Sequence, residues 1–374
     1  MEKKKILVLL PVFDLGGAEK QGFYAAKELN ESGNYITEIW AFNKSSGNLI
    51  KLIEEEGIEY KDLNISFTEL NNFKKRLLFY FQFIRKLRKS KFYGILPFTY
   101  HANLTTAFCF RFGGVKKALW FQIAMEHHIR VGRFEKFAKM FKPTYASNSL
   151  AAGDYVRGRH ELDAKHEVHF IPNPFELKKA IKDKETWRKD LGVKDGEFSF
   201  GIVANFYQEK DHLTLLKAVK ILKDKGLSFK LILAGDNTRE DSFLYKVKSY
   251  ILDEKLYDVV NFSGVVKDVP GLLKSLDCAM LTSTTEGSPN ALIEYVAYET
   301  PVVVSNIKPN LEIVGENYKY QFESKDYEAL ADVMESMIAE RSGLNESAKK
   351  MSKKVQGIYS EEENLKAFLS ILSN

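Results

Sequence analysis

Thr284-Thr-Glu-Gly-Ser-Pro-Asn-Ala-Leu-Ile-Glu-Tyr295 lies between an apolar run ending near Thr282 and a second one, Pro301-Val-Val-Val-Ser305. Pro289 suits the first turn of a helix, where its missing N–H costs nothing. The N–H groups of Asn290, Ala291 and Leu292 would then face a phosphate, with Ser288 beside them. Glu294 falls about one turn inside that helix and Glu286 on the loop before it, so a chain reversal can bring both carboxylates to one cleft. A carboxylate is the bidentate acceptor that a ribose diol requires. On local chemistry alone, two solvated glutamates beside an ordinary loop fit the same residues.

Strand, loop, helix and strand in that order form a unit of a parallel sheet, and the pattern repeats outward in both directions. Strands are expected at 5–10, 36–42, 93–98, 118–123 and 144–147. A second set is expected at 199–204, 230–234, 259–263, 278–282 and 301–305, giving two sheets. Between the sets, Ile171-Pro-Asn-Pro174 fixes an extended path and marks the linker. The expected domains are 1–172 and 173–359, with a last helix at about 360–374 packing back on the first.

A chain of 374 residues, 45% hydrophobic and 28% charged, is long enough for two cores and excludes the disordered and fibrous classes. Met1 to Lys5 followed by Ile6–Phe13 has the charge of a signal peptide, but the run is short and Pro11 and Asp14 break it. It reads as a first strand, and the expected location is the cytoplasm. Cys109 and Cys278 sit in apolar surroundings and read as reduced core residues. Charge is uneven: residues 70–125 hold eleven Lys and Arg and no Asp or Glu. With 126–160 they carry +15, which leaves −10 for the rest of a chain whose net charge is +5. One half is built to face something anionic.

Phe13-Asp-Leu-Gly-Gly-Ala-Glu19 follows the first strand, and its adjacent Gly16 and Gly17 allow close approach of an anion to a helix N-terminus. A turn without any ligand accounts for it equally well. Taken with the other segments, however, the order is specific. Glu286, seven residues, Glu294 and then Thr300-Pro-Val-Val-Val-Ser305 resemble the donor-site signature of the GT4 family of retaining glycosyltransferases. Ile171-Pro-Asn-Pro174 is similar to that family's interdomain segment and Ile202–Lys210 to its donor-phosphate segment. Ala234-Gly235-Asp236 and Val259–Val265 resemble the strand ends that follow.

The resemblance implies an α/β chain of the GT-B fold: two Rossmann-like parallel-sheet domains facing each other across a cleft, the first for the acceptor and the second for the donor. It implies that Glu294 holds the donor ribose, that Glu286 contacts the transferred sugar and that Lys210 contacts the diphosphate. Gly16, Gly17, Asn205, Gly235, Val265, Ser288, Asn290, Ala291 and Leu292 would complete the donor contacts. The family usually has an Arg where Asn205 stands, so one phosphate-neutralising charge is missing. His101, in Phe98-Thr-Tyr-His101, matches a position near the acceptor and the transferred sugar, and His127, in Met125-Glu-His-His128, resembles a Glu-His pair of some relatives. A strand-end His can orient a sugar hydroxyl or accept its proton, and one that merely satisfies a local hydrogen bond fits the same residues. Transfer would retain anomeric configuration through an oxocarbenium-like transition state, with Glu286 positioning the sugar and no covalent nucleophile. No Asp-x-Asp triplet occurs in the chain. Metal-independent chemistry is therefore expected, with no cofactor beyond a nucleoside diphosphate sugar, UDP-linked, as co-substrate.

The segment Phe73–Lys89 reads as a helix whose stripe Phe73, Leu77, Tyr80, Phe81, Ile84 and Leu87 is core. Its other face would present Lys75, Lys86 and Lys89 with Leu78 and Phe79 among them, which suits anionic lipid at the inner face of the cytoplasmic membrane and a lipid-linked acceptor. A merely solvated face fits the same residues. Nucleic acid is not an expected partner, since no binding module is visible. The reading is a hexosyltransferase of cell-surface polysaccharide, lipopolysaccharide or capsule synthesis. Two alternatives stay open: a sugar-nucleotide epimerase of the same architecture, and a catalytically weak nucleotide- or glycan-binding relative.

Overall fold

A computed structural model describes residues 3–125, 132–236, 238 and 242–373. The chain divides into two compact units, Met1–Pro174 with Ser360–Asn374, and Phe175–Tyr359. The first holds β1 (Lys4–Val12), β2 (Tyr35–Asn43), β3 (Glu59–Asp62), β4 (Gly94–Pro97), β5 (Lys117–Gln122), β6 (Thr144–Ser147) and β7 (Val168–Phe170). The second holds β8 (Phe198–Val203), β9 (Phe229–Ala234), β10 (Val260–Gly264), β11 (Cys278–Leu281), β12 (Val302–Ser305) and β13 (Gln321–Phe322).

The strands pair in parallel, in the orders β3-β2-β1-β4-β5-β6-β7 and β10-β9-β8-β11-β12-β13. Central strands such as Ile6–Leu10 are fully buried, as continuous apolar runs covered by helices on both faces must be. All ten expected strands are present. The three that the sequence pattern misses, β3, β7 and β13, are edge strands of four, three and two residues. β3 is exposed along its whole length, so it carries no apolar signal to read. Phe368, Ile371 and Leu372 of the last helix, Glu361–Ser373, belong to the core of the first unit with Ile6, Val8 and Phe121.

In each sheet the strand order reverses at one point, between β1 and β4 and between β8 and β11. The loops leaving two neighbouring strands there go to opposite faces, which opens a crevice at the carboxyl ends of the strands.

One expectation needs correcting. The helix Phe73–Ser90 is present, but its core stripe is Phe79, Tyr80, Phe83 and Leu87. Phe79, expected on the exposed face, is 5% exposed, whereas Phe73, Leu77 and Phe81, expected in the core, are 46–59% exposed. The buried choice follows from the sheet beneath. Trp40 and Phe42 of β2 offer their rings to Phe83 and Phe79, at centroid separations of 5.9 and 5.8 Å.

Candidate active site

The reversal point of the second sheet brings together the loops after β8 and β11. Thr282 Oγ1 donates to the Lys210 carbonyl at 2.7 Å, and Thr284 N–H donates to the Glu209 carbonyl at 2.8 Å. Ser305, at the end of β12, donates its hydroxyl to the Ser283 carbonyl and fixes the second loop from its other side. Held this way, the two loops set Lys210 Nζ 2.5 Å from Glu286 Oε1. Ser283 Oγ donates to the same oxygen at 2.7 Å. Asp211, in the left-handed region at φ 48°, ends the first loop and caps the helix His212–Asp224 through Thr214.

Glu294 rides on the helix Asn290–Ala297, and that helix is anchored by its next residue. Tyr295 is fully buried, accepts from Val203 N–H at 2.8 Å and donates to the Val203 carbonyl at 3.1 Å, tying the helix to the end of β8. Burial pushes the Tyr295 hydroxyl well above its usual range, and the charges of Glu294 and Glu286 add to the effect. Pro289 precedes the helix as its cap residue, and Leu292 N–H donates to its carbonyl at 2.9 Å. Leu292 is thus committed to the first turn and to the core, a correction to its expected role as a phosphate donor. The Ser288 hydroxyl is buried without any hydrogen-bond partner, which an inaccessible polar group tolerates badly.

Other expected donor residues border the same strand ends. Gly235, after β9, has no room for a side chain: a Cβ would lie 2.1 Å from the Ala204 carbonyl oxygen. Asn205 is exposed and accepts from Asp236 N–H at 3.3 Å. Val265, just past β10, is 71% exposed. Motifs alone do not mark Thr282, Ser283 or Tyr295, although Thr282 and Ser283 hydrogen-bond Lys210 and Glu286 and Tyr295 follows Glu294. Hydroxyl side chains at a sheet reversal point are the signal for them.

Gly16 and Gly17 belong to the first unit. Gly16 caps the helix Gly17–Glu31, and a Cβ on it would come within 2.2 Å of Glu19 Oε2. The protein's own carboxylate therefore curls over this N-terminus. His101 lies at the reversal point of the first sheet, in the first turn of the helix Tyr100–Cys109, stacked on Phe67 at 4.7 Å. Burial, with a contribution from Arg76, holds its pKa below the usual value, which favours the neutral imidazole. The residue before that helix, Thr99, has φ 91° and ψ 165°, a conformation normally reserved for glycine. His127 lies outside the described residues. Lys75 pairs with Glu69 at 3.0 Å, Lys86 is half-buried, and Leu78 and Lys89 are exposed.

Residues 183–357, nearly all of the second unit, match the model of glycosyl transferases group 1. That segment belongs to the group 1 glycosyl transferases. Putative glycosyltransferase EpsF of Bacillus subtilis is 27% identical over 161 residues, 41% of this chain and 40% of that protein. The UDP-Gal:alpha-D-GlcNAc-diphosphoundecaprenol alpha-1,3-galactosyltransferase of Escherichia coli is 30% identical over 149 residues, 38% of each chain. These matches thus span about two fifths of the length of the curated relatives. Over nearly its whole length the chain is similar in fold to Anabaena HepE in complex with UDP, with a TM-score of 0.83, 18% identity and 99% coverage of each chain. Two Rossmann-like parallel-sheet units of the GT-B class are therefore the architecture of the chain.

Proposed function

We propose that the chain is a retaining hexosyltransferase. It moves a hexose or N-acetylhexosamine from a UDP-sugar to a glycan or lipid-linked saccharide during cell-surface polysaccharide synthesis. The observation that carries this reading is the reversal point of the second sheet, where Lys210 pairs with Glu286 on the loop that leads, through the unpartnered Ser288 hydroxyl, into the helix bearing Glu294. Glu294 takes the ribose diol, Glu286 the sugar hydroxyls and Lys210 the diphosphate. As the bond from C1 to the diphosphate oxygen breaks, the acceptor hydroxyl oxygen bonds to C1 and its proton passes to the departing diphosphate oxygen, while Lys210 stabilises the negative charge that gathers on the leaving group. The UDP held by HepE and the UDP-galactose in the name of the E. coli relative support the choice of nucleotide. No residue here is assigned to a metal, and His101 is assigned to the acceptor.

Thermal unfolding against a panel of nucleotides and sugar nucleotides tests the site. Stabilisation by UDP-sugars that vanishes in Glu294→Ala is expected, and no stabilisation by any nucleotide would sink the reading. Turnover then separates the classes: UDP release only with acceptor marks a transferase, and an epimerised sugar nucleotide marks an epimerase.

A lipid-linked acceptor is favoured by the surface of the first unit. Leu77, Leu78 and Phe81 are exposed on one helix, and Phe112, Phe137 and Met140 are exposed on segments nearby in sequence, all within the basic stretch. Exposed apolar side chains among Lys and Arg bind anionic bilayers, because insertion and charge attraction add. No described helix is long and apolar enough to cross a membrane, so the contact would be peripheral. Sedimentation with anionic vesicles at low salt is expected for the wild type and strongly reduced for Leu78→Asp/Phe81→Asp. An unbound wild type removes this part of the proposal.

A further inference from the structure

The positive charge intended for the donor diphosphate is already neutralised inside the site. Lys210 Nζ sits 2.5 Å from Glu286 Oε1, and the two side chains are 23% and 12% exposed, so water screens the pair poorly. Ser283 Oγ, at 2.7 Å from the same oxygen, keeps the carboxylate turned toward the lysine. Asn205 adds no second charge beyond the pair. A free nucleoside diphosphate entering this site must take Lys210 from Glu286 and leave a shielded carboxylate close to its own phosphates. A donor that still carries its sugar brings hydroxyl groups that can hydrogen-bond Glu286 while Lys210 turns to the diphosphate.

From this geometry we propose that the Lys210–Glu286 pair discriminates against the spent nucleotide. Glu286 releases Lys210 only when a sugar is present, so UDP binds weakly, and the product leaves once the glycosyl group has gone. The inference rests on the donor site assigned above and adds a function to it: the first glutamate of the signature acts on the nucleotide through the lysine as well as on the sugar.

The test compares calorimetric affinities of UDP and of the UDP-sugar that stabilises the protein most. Glu286→Gln keeps the shape and removes the charge. It should bind UDP about tenfold more tightly than the wild type, in keeping with the coupling of close charge pairs, and should not tighten the UDP-sugar. Ser283→Ala, which frees the carboxylate without deleting it, should shift UDP affinity the same way by a smaller factor. UDP affinity that is unchanged or weaker in Glu286→Gln, or an equal gain for UDP and UDP-sugar, overturns the proposal. Glu294→Ala separates the two levels. If it abolishes UDP binding while Glu286→Gln has no effect, the donor site stands and the discrimination fails; if it leaves UDP binding intact, the donor site itself is misplaced.

Discussion

Asn205, just past β8, is exposed, and its side chain accepts one long hydrogen bond, from Asp236 N–H at 3.3 Å. Little structure depends on it, so Asn205→Arg should fold normally and add a charge where phosphate is expected. The KM for UDP-sugar should fall several-fold, measured by initial rates, and a KM that does not move would place the diphosphate elsewhere. Lys210→Met should act in the other direction, lowering kcat by roughly 10²–10³ as expected when a donor to developing charge is removed. Tyr295 shows the limit of motif reading at this scale. Its hydroxyl exchanges two hydrogen bonds with the Val203 backbone, and Tyr295→Phe leaves that buried N–H unpaired. The expected cost is about 1–3 kcal/mol in urea unfolding. The carboxylates and the lysine were legible because their charge and spacing are chemical signals. The residues that aim them were not, because an anchoring tyrosine looks like any other core aromatic until its partner strand is known.

The helix Phe73–Ser90 shows why elements are harder to place than to find. It has apolar residues around more than half its circumference, so periodicity predicts a helix without choosing the face it buries. The rings of Trp40 and Phe42 on β2 make that choice, and they lie more than thirty residues away in sequence. The face expected in the core is therefore turned by roughly 80°, less than the angle between consecutive residues. Phe83→Ala should cost about 3–5 kcal/mol by chemical denaturation, whereas Phe81→Ser on the exposed side should stay within roughly 0.5 kcal/mol. Equal effects would contradict the burial described. The start of the helix Tyr100–Cys109 is invisible to sequence in a different way. Nothing in Phe98-Thr-Tyr-His101 announces that a β-branched residue takes φ 91°. Thr99→Gly should relieve roughly 1–3 kcal/mol of strain, more than the roughly 0.4–1 kcal/mol that the glycine's freedom in the unfolded chain costs, and so raise the melting temperature in a thermal scan.

At the scale of the whole molecule, each unit buries a titratable group without hydrogen-bond partners, and the two should respond to pH in opposite directions. In the first unit, both Glu28 oxygens are unpartnered. Burial, reinforced by the nearby charges of Glu361 and Glu31, raises its pKa to about 8. Its folded-state pKa exceeds the unfolded one, so its contribution is fully present below about pH 4.5 and lost as pH rises through 8. In the second unit, His212 is fully buried between Phe206 and Phe243 with both ring nitrogens unpartnered. Burial, with a smaller contribution from Lys210, lowers its pKa to about 3. Here the folded-state pKa lies below the unfolded one, so stability is present above about pH 6.5 and lost as pH falls toward 3. Hydrogen exchange resolved by peptide between pH 5 and 8 should therefore show, after correction for the intrinsic exchange rate, the first unit loosening with alkali and the second with acid. Glu28→Gln should flatten only the first trend and stabilise that unit by roughly 2–4 kcal/mol at pH 8. His212→Leu should flatten only the second. A pH dependence of the same sign in both units, or one untouched by these two substitutions, would show that other groups govern the titration.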